Sequence, residues 1–174
     1  MAETRELITQ RTRIQFRIGD LALEIEPMRR QGGASSSDAI FGTLVSQVLA
    51  RFAEDVGMSL SSVNKWRWVA SRWPTAHRRD EVPHYIHEIL APLQDERQRF
   101  ATLADPPVDQ RTGARRWTPD AAKRLMGRQV ERPETVQEKV VAVHALVNDE
   151  EVASRVAQDL LRRPEVASKA MTAC

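Results

Sequence analysis

Residues 49–74 read LARFAEDVGMSLSSVNKWRWVASRWP, and this stretch predicts two helices joined by a short turn. Gly57 is placed to end the first helix, because glycine readily adopts the left-handed backbone conformation found at helix ends. Ser59 suits the N-cap of a second helix over about residues 60–72, since its hydroxyl can accept a bond from a first-turn amide. Pro74 ends that helix. Two helices joined by so short a glycine-containing turn are typical of a helix-turn-helix.

Four small or apolar residues in this stretch follow the spacing of a DNA-binding bihelical unit. Gly57 stands 4 residues after the small residue Ala53. Val63 and Trp66 stand 10 and 13 residues after it. Ala53 must be small where the helices cross, and the two later residues anchor the second helix against the first. The second helix is therefore the candidate for reading a nucleic-acid sequence.

The outward face of the second helix carries polar side chains at its N-terminal end. In a major groove, these N-terminal residues lie at base edges. Asn64 can pair with adenine and Lys65 can reach the acceptors of guanine. Trp68 is either a groove contact or a second core tryptophan. The residues predicted to read bases are Ser61, Ser62, Asn64, Lys65 and Trp68. The residues predicted to contact phosphate are Ser59, Arg67, Arg72, Arg78 and Arg79.

Basic residues form two clusters in a chain whose net charge is only +2. The first spans residues 59–79 and contains no acid, and the second spans residues 111–132. Thr118-Pro119-Asp120 predicts a helix start within the second cluster, and a basic loop before a helix N-terminus suits phosphate binding. Two ordinary solvated faces are the alternative interpretation. The second predicted DNA contact comprises Arg111, Arg115, Arg116, Lys123, Arg124 and Arg128.

Apolar periodicity predicts helices in the rest of the chain as well. Residues 7–28 keep helical phase, although their alternation about Gly19 also fits a hairpin. Residues 30–38 are rich in Gly and Ser, which predicts a linker, and Asp38 can cap the next helix, over about 39–55. We therefore expect an all-α fold. The expected parts are an N-terminal helix over 1–30, a helix-turn-helix domain over 38–80 and a small C-terminal helical domain over 81–174.

Proline and capping residues mark the helices of the C-terminal half. Pro83–Leu93 and Asp95–Leu103 each predict a short helix. Pro133 and Glu134 are placed to start another, and Asp149 to cap the one after it. Pro164 is expected to start only a last short turn.

Several classes of protein are disfavoured by what the sequence lacks. Cys174 is the only cysteine, so neither an internal disulfide nor a cysteine metal site is expected. His84 and His87 share a helix face, but without a third ligand they make a weak metal site, and we expect no cofactor. A phosphate loop and a catalytic triad are missing, so we expect no enzyme. We find neither an apolar membrane span nor a signal segment, which favours a protein of the bacterial cytoplasm, associated with the nucleoid.

The chain resembles two groups of helix-turn-helix proteins. One is an actinobacterial family mostly without assigned function, and the resemblance rests on GDLALEIEPM, VGMSLSSVNKWRWVASRWP, RTGARRWTPDAAKRLMGRQV, TVQEKVVAVHAL and DEEVASRVAQDLLRRPEVA. The other comprises the immunity repressors of temperate mycobacteriophages, which the chain resembles in size, domain order and its two basic clusters. This second resemblance implies a monomer that binds short asymmetric sites on double-stranded DNA through two domains. A dimer stays the alternative.

The sequence thus predicts a transcriptional repressor that confers phage or prophage immunity. A ParB-like or plasmid-maintenance DNA-binding protein is an alternative, because the helix-turn-helix is also similar to that of ParB-like proteins. The N-terminal nucleotide-handling region of those proteins has no counterpart in this sequence. A helical protein-interaction adaptor and a nucleic-acid enzyme are the other hypotheses.

Overall fold

A computed structural model describes residues 2–28, 47–109 and 111–172. Within these ranges the regular structure is helical, and the one strand-like pairing is an isolated antiparallel bridge between Val108 and Arg115. The predicted all-α class is therefore confirmed. The elements are α1 (Ala2–Ile25), α2 (described over 47–55), α3 (Leu60–Arg72), a 3-10 turn (Thr75–His77), α4 (His84–Leu90), α5 (Glu96–Ala104), α6 (Pro119–Leu125), α7 (Val136–Leu146), α8 (Glu150–Leu161) and α9 (Pro164–Thr172).

The chain divides into two compact units, Met1–Ala122 and Lys123–Cys174. The sequence placed the main division near residue 80 instead. The division lies later because α4 packs against α1, and α5 packs against α4. The predicted linker over 30–38, its Asp38 cap and the start of the helix predicted over 39–55 lie outside the described residues.

The first helix is continuous through Gly19, so the helical interpretation of residues 7–28 is confirmed over Ala2–Ile25. α1 crosses α3 at this glycine, and the two backbones approach closely. A Cβ atom on Gly19 would lie 2.5 Å from the carbonyl oxygen of Trp66 and 2.9 Å from the Cβ of Ala70. The glycine that weakens the helix prediction is therefore required by the helix crossing.

A small apolar core joins the first three helices. Its buried members are Ala22 of α1, Leu49 and Ala53 of α2, and Val63 of α3. Partly buried apolar side chains surround this cluster, namely Ile25, Phe52, Met58 and Leu60. Burial of this apolar surface fixes α3 between α1 and α2, so one of its faces is committed to packing.

Two histidines of α4 form a second core with aromatic residues of α1 and α3. His84 and His87 are buried, and both meet the ring of Phe16 edge-on, at 4.7 and 5.0 Å between centroids. His84 also faces Trp66, and His87 faces Trp73. These contacts fix α4 on α1 and α3.

Hydrogen bonds hold His87 in one neutral form. Its Nε2 accepts a bond from the backbone N–H of Arg79 at 3.3 Å, so that nitrogen carries a lone pair. Its Nδ1 lies 3.3 Å from the carbonyl oxygen of Pro83 and donates to it. Burial lowers the pKa of His84 to about 3 and the pKa of His87 to about 4. Both side chains are consequently uncharged at neutral pH.

Capping side chains set the starts of the helices in the second unit. α7 begins at Val136, three residues after Pro133, where the sequence predicted the start, because Thr135 and Glu138 form a capping box. Hydrogen bonds from Arg124 lower the pKa of Glu138 to about 2. Asp149 caps α8 as predicted, accepting from two backbone N–H groups. α9 extends from Pro164 to Thr172 and is longer than the short turn that we expected.

None of the described helices combines the length and the apolar character that a membrane crossing requires. Likewise, the described residues contain no group of three or more His, Cys, Asp or Glu side chains that could hold a metal ion.

Candidate nucleic-acid interface

The turn before α3 has the geometry that the sequence predicts. Gly57 has a φ of +66°, which lies in the left-handed region. The backbone N–H of Met58 donates to Ala53 O at 2.8 Å and closes the end of α2. Ser59 is the N-cap of α3, where its Oγ accepts from the backbone N–H of Ser62 at 3.2 Å. The hydroxyls of Ser61 and Ser62 also lie within 3.0 Å of this oxygen.

The predicted anchors of the second helix lie on its packed side. Val63 and Ala70 are buried, and so is Trp73 just after the helix. The indole Nε1 of Trp73 donates to His87 O at 3.0 Å, which satisfies its only polar group. Trp66 is half-buried and packs towards His84. These contacts leave the opposite face of α3 available.

The available face of α3 carries most of the residues predicted to read bases. Ser61, Asn64 and Lys65 are exposed, while Ser62 and Trp68 are half-buried. Lys65 Nζ lies 3.3 Å from a carboxylate oxygen of Glu88, and its side chain is 52% exposed. An ion pair this exposed contributes little energy, so Lys65 can exchange Glu88 for another acceptor.

Two of the arginines predicted to contact phosphate are bound to acids of α1 and the residues after it. Arg78 donates from Nη1 and Nη2 to the two oxygens of Asp20, both at 2.7 Å, and its side chain is only 10% exposed. It also lies over the ring of Phe16, 4.4 Å from the centroid. Arg67 forms an ion pair with Glu26 and is 14% exposed. Both guanidinium groups therefore join elements of the fold, whereas the sequence predicted that they contact phosphate.

Arg72 also has a packing role, through backbone carbonyls after α4. Its Nε donates to Ala91 O at 3.1 Å and its Nη2 to Leu93 O at 2.9 Å. Buried Arg99 of α5 donates in turn to Arg72 O at 2.9 Å, so these arginines tie α3 to α4 and α5. Arg79 differs from the other three, since its side chain is 47% exposed and its guanidinium group lies 3.5 Å from a carboxylate oxygen of Glu81.

The first part of the second basic cluster lies on an ordered loop of the first unit. The backbone N–H of Asp109 donates to Ala114 O at 2.9 Å, and Gly113 makes the turn with a φ of +68°. Arg111 is exposed at this turn. Exposed Arg115 and Arg116 form ion pairs with Asp105 and Asp109, respectively.

Arginines from both basic clusters meet around one cavity of the first unit. The cavity has a volume of about 290 Å³, and Arg79, Arg115 and Arg116 line it. Leu103 and Trp117 supply part of its apolar wall. The fold thus brings Arg79 of the first cluster beside two arginines of the second, although about 35 residues of chain separate them.

The rest of the second cluster belongs to the second unit. Lys123 Nζ lies 2.7 Å from a carboxylate oxygen of Glu131. Arg124 binds Glu138 and Glu134. Arg128 is exposed. Lys123 and Arg124 are therefore engaged with acids that the sequence prediction did not assign to them, and their side chains are partly buried.

The residues that the sequence analysis missed are the acidic and carbonyl partners of these cations. Asp20, Glu26 and Glu88 stand far from their partners in the sequence, and no local pattern relates them. Periodicity along α1 does not indicate them either, because Asp20 and Glu26 lie six residues apart and Glu26 follows the last residue of the helix. The positive charge of the interface is accordingly smaller than the count of basic residues indicates.

Comparison with known families places most of this chain in one group. Residues 73–173 match a family whose description is "Family of unknown function (DUF6192)". The chain belongs to DUF6192. The DUF6192 match begins at Trp73, so it includes Arg79, α4 to α9 and the loop with Arg115 and Arg116, but not α3. No curated protein and no solved structure matches the chain.

Proposed function

We propose that this member of DUF6192 is a sequence-specific double-stranded DNA-binding protein that represses transcription. In this proposal α2 and α3 form a helix-turn-helix, and α3 lies in the major groove. The observation that carries it is the division of α3 into a buried face, with Val63 and Ala70, and an exposed face, with Ser61, Asn64 and Lys65. Asparagine and lysine near the N-terminus of a groove helix are typical readers of adenine and guanine.

Phosphate contacts come, in this proposal, from the exposed arginines that meet around the cavity. Arg79, Arg115 and Arg116 lie on one surface of the first unit, and Arg111 is on the same loop as the last two. The ion pairs of Arg79 with Glu81 and of Arg115 with Asp105 are exposed, so phosphate oxygens can replace these two carboxylates at little cost. Arg116 is held more firmly, because the side chain of its partner Asp109 is only 11% exposed. Arg128 of the second unit is a further candidate contact. Arg67, Arg72 and Arg78 are no longer included, because packing partners occupy them.

Repression follows from the physical presence of the protein on DNA. A protein that occupies promoter DNA excludes polymerase without catalysis or an effector. We propose the bacterial cytoplasm as its location and phage or prophage immunity as its biological role, because the chain resembles the immunity repressors in size and in its two basic clusters. A reporter gene behind a bound promoter tests this step, and full expression despite occupancy would exclude it.

The first experiment is selection of bound sequences from a random duplex library with the full chain at near-physiological salt. Low salt would let non-specific phosphate binding dominate. Enrichment of a defined motif supports the proposal, and a library that stays random refutes it. Asn64→Ala and Lys65→Ala should each weaken binding to the selected motif about 5- to 100-fold, because each removes a base contact. Lys169→Ala on α9 removes the same charge as Lys65→Ala, and we expect it to leave the affinity nearly unchanged.

A protein-interaction adaptor is the second candidate, and the apolar exposure of α7 favours it. Val136 and Leu146 lie at opposite ends of that helix and are 78% and 79% exposed. An adaptor would retain its structure in both α3 variants and show no motif in the selection. The two hypotheses therefore give opposite results in the same experiment.

A further inference from the structure

The cavity that Arg79, Arg115 and Arg116 line has a mostly apolar wall. Of the ten described residues that line it, six are apolar, namely Val82, Pro83, Leu103, Ala104, Pro106 and Trp117. A contact with the phosphate backbone of DNA requires exposed positive charge, and it does not require an apolar wall. A concave, mostly apolar wall with a few polar groups is instead typical of a site that binds a small molecule.

Contacts within the first unit hold the parts of this wall in place. Leu103, near the end of α5, is buried. The indole Nε1 of Trp117 donates to Leu103 O at 3.0 Å, so the loop after α5 returns to the end of that helix. On the segment before α4, the backbone N–H of Arg79 donates to Nε2 of buried His87. The wall is therefore formed without the help of a ligand.

The two loop arginines keep hydrogen-bond donors that a ligand can use. Arg115 donates from Nε to Pro106 O at 3.1 Å and from Nη2 to Asp105. Arg116 donates from Nε and Nη2 to Asp109. Among the described residues, none accepts a hydrogen bond from the Nη1 of either arginine. A carboxylate can accept from these remaining N–H groups without displacing Asp105 or Asp109.

The volume and the charge of the cavity restrict the ligand. A volume of about 290 Å³ is near the lower end of the range for small-molecule sites, roughly 300–1,000 Å³, which suits a small ring system better than a nucleotide. An aromatic ring packs well on an indole or a guanidinium plane. Glu81 lines the cavity, and Asp105 and Asp109 already neutralise two of the arginines. A single negative charge is therefore matched better than the two charges of a phosphate group.

We propose that this cavity binds a small aromatic monocarboxylate, with its ring against the apolar wall and its carboxylate on Arg115 and Arg116. This binding does not require that the protein bind DNA. One consequence does rest on the proposed function, because the same arginines are proposed to contact phosphate. A bound carboxylate then competes with DNA for these guanidinium groups, and the ligand acts as an effector that relieves repression.

Isothermal titration calorimetry of the full chain with cinnamate, in the absence of DNA, tests the site. We expect a dissociation constant on the order of 100 µM for a ligand of this size. Cinnamamide has the same ring without the charge, and it should bind about tenfold more weakly because the charge-assisted hydrogen bonds are lost. In NMR spectra, cinnamate should shift the indole Nε1–H signal of Trp117. The corresponding signals that should stay in place are those of Trp66, Trp68 and Trp73.

Two substitutions test the cavity by different routes. Arg115→Gln removes one guanidinium group and should weaken cinnamate binding about tenfold. Ala104→Phe keeps every charge but fills part of the cavity, so it should weaken binding at least as much. Arg111→Gln is the matched control, because Arg111 is an exposed arginine of the same loop that is not among the residues lining the cavity. Its affinity for cinnamate should be nearly that of the wild-type chain, and circular dichroism checks that each variant stays folded.

Three results would overturn the proposal. The first is a wild-type chain that shows neither heat of binding nor a shift of the Trp117 signal at millimolar cinnamate. The second is equal binding of cinnamate and cinnamamide, and the third is an Arg111→Gln variant as weak as Arg115→Gln. Because no DNA is present, these results are independent of the library selection that tests the proposed function.

Discussion

Acidification should destabilise the first unit through its two buried histidines. His84 and His87 are uncharged in the folded chain, with pKa values lowered by burial to about 3 and about 4. In the unfolded chain both return to the ordinary value of 6.5. Between these limits the unfolded state binds more protons, so the free energy of unfolding falls as the pH falls. The stabilisation of the folded state by these two uncharged histidines is complete above pH 6.5, the pKa in the unfolded chain. It is lost as the pH falls towards the pKa values in the folded chain, about 3 and about 4.

The size of this effect follows from proton binding to the unfolded chain. At about pH 5.5 an imidazole with a pKa of 6.5 is about nine-tenths protonated, which stabilises the unfolded state by RT ln 11, about 1.4 kcal/mol. The pKa values in the folded chain are so low that protonation of the folded state contributes almost nothing to its free energy at this pH. Two histidines therefore remove about 3 kcal/mol between about pH 8 and about pH 5.5. This is a large part of the 5–15 kcal/mol, roughly, that stabilises a typical domain.

Urea unfolding at the two pH values measures the effect. All four tryptophans, Trp66, Trp68, Trp73 and Trp117, belong to the first unit, so their fluorescence reports its unfolding. His84→Leu should reduce the pH-dependent loss by about half, to about 1.4 kcal/mol. Neither ring nitrogen of His84 has a hydrogen-bond partner among the described residues, so this substitution breaks no bond. His144→Gln, at an exposed position of α7, is the control and should leave the loss unchanged.

Equal stability at both pH values would refute the reasoning, since it would mean that the folded chain takes up the same protons as the unfolded one. An unchanged loss in His84→Leu would show instead that other groups carry the pH dependence.

Three further predictions concern the packing of α1 and α7. Gly19→Ala should destabilise the first unit by about 1–3 kcal/mol in urea unfolding, although the same change in an open helix stabilises by about 1 kcal/mol; a more stable variant would exclude the close crossing. Asp20→Asn should cost about 3 kcal/mol, because Arg78 loses its counter-charge while nearly buried. Asp80→Asn, in an exposed pair, should change stability little by comparison. Thr135→Ala should speed hydrogen exchange in the first turn of α7, and unchanged exchange would show that the capping box is not formed in solution.

Local sequence signals predicted the helices well. Ser59, Asp95 and Asp149 accept bonds from first-turn amides in the structure, so the starts of α3, α5 and α8 could be predicted from single residues. The residues that anchor α3 to its neighbours could also be predicted from the local sequence. Their positions follow from helical periodicity, which operates within a few turns of chain.

The roles of the arginines could not be predicted in this way. Arg78 meets an acid 58 residues earlier in the chain, and Arg72 meets carbonyls about 20 residues later. Such pairs arise only once α1, α3 and α4 are packed, and composition does not reveal them. Gly19 shows the same limit. Its low helix propensity predicts a weaker helix, whereas the close crossing of α1 and α3 requires a residue without a side chain at this position.

The family boundary and the folding boundary differ, which gives a last prediction. The DUF6192 match begins at Trp73, inside the compact unit Met1–Ala122. His84 and His87 are buried there by Phe16 and Trp66, which lie outside the match.

A fragment over residues 73–174 should therefore show disordered α4 and α5 in NMR spectra, because their apolar faces have lost their partners. A fragment over residues 1–122 should unfold cooperatively, as a complete unit. A cooperative fold of α4 and α5 in the shorter family fragment would contradict this. If the prediction holds, α3 and the start of the family segment fold as one unit. The exposed face of α3 then depends on the family segment, because α4 and α5 hold α3 in place.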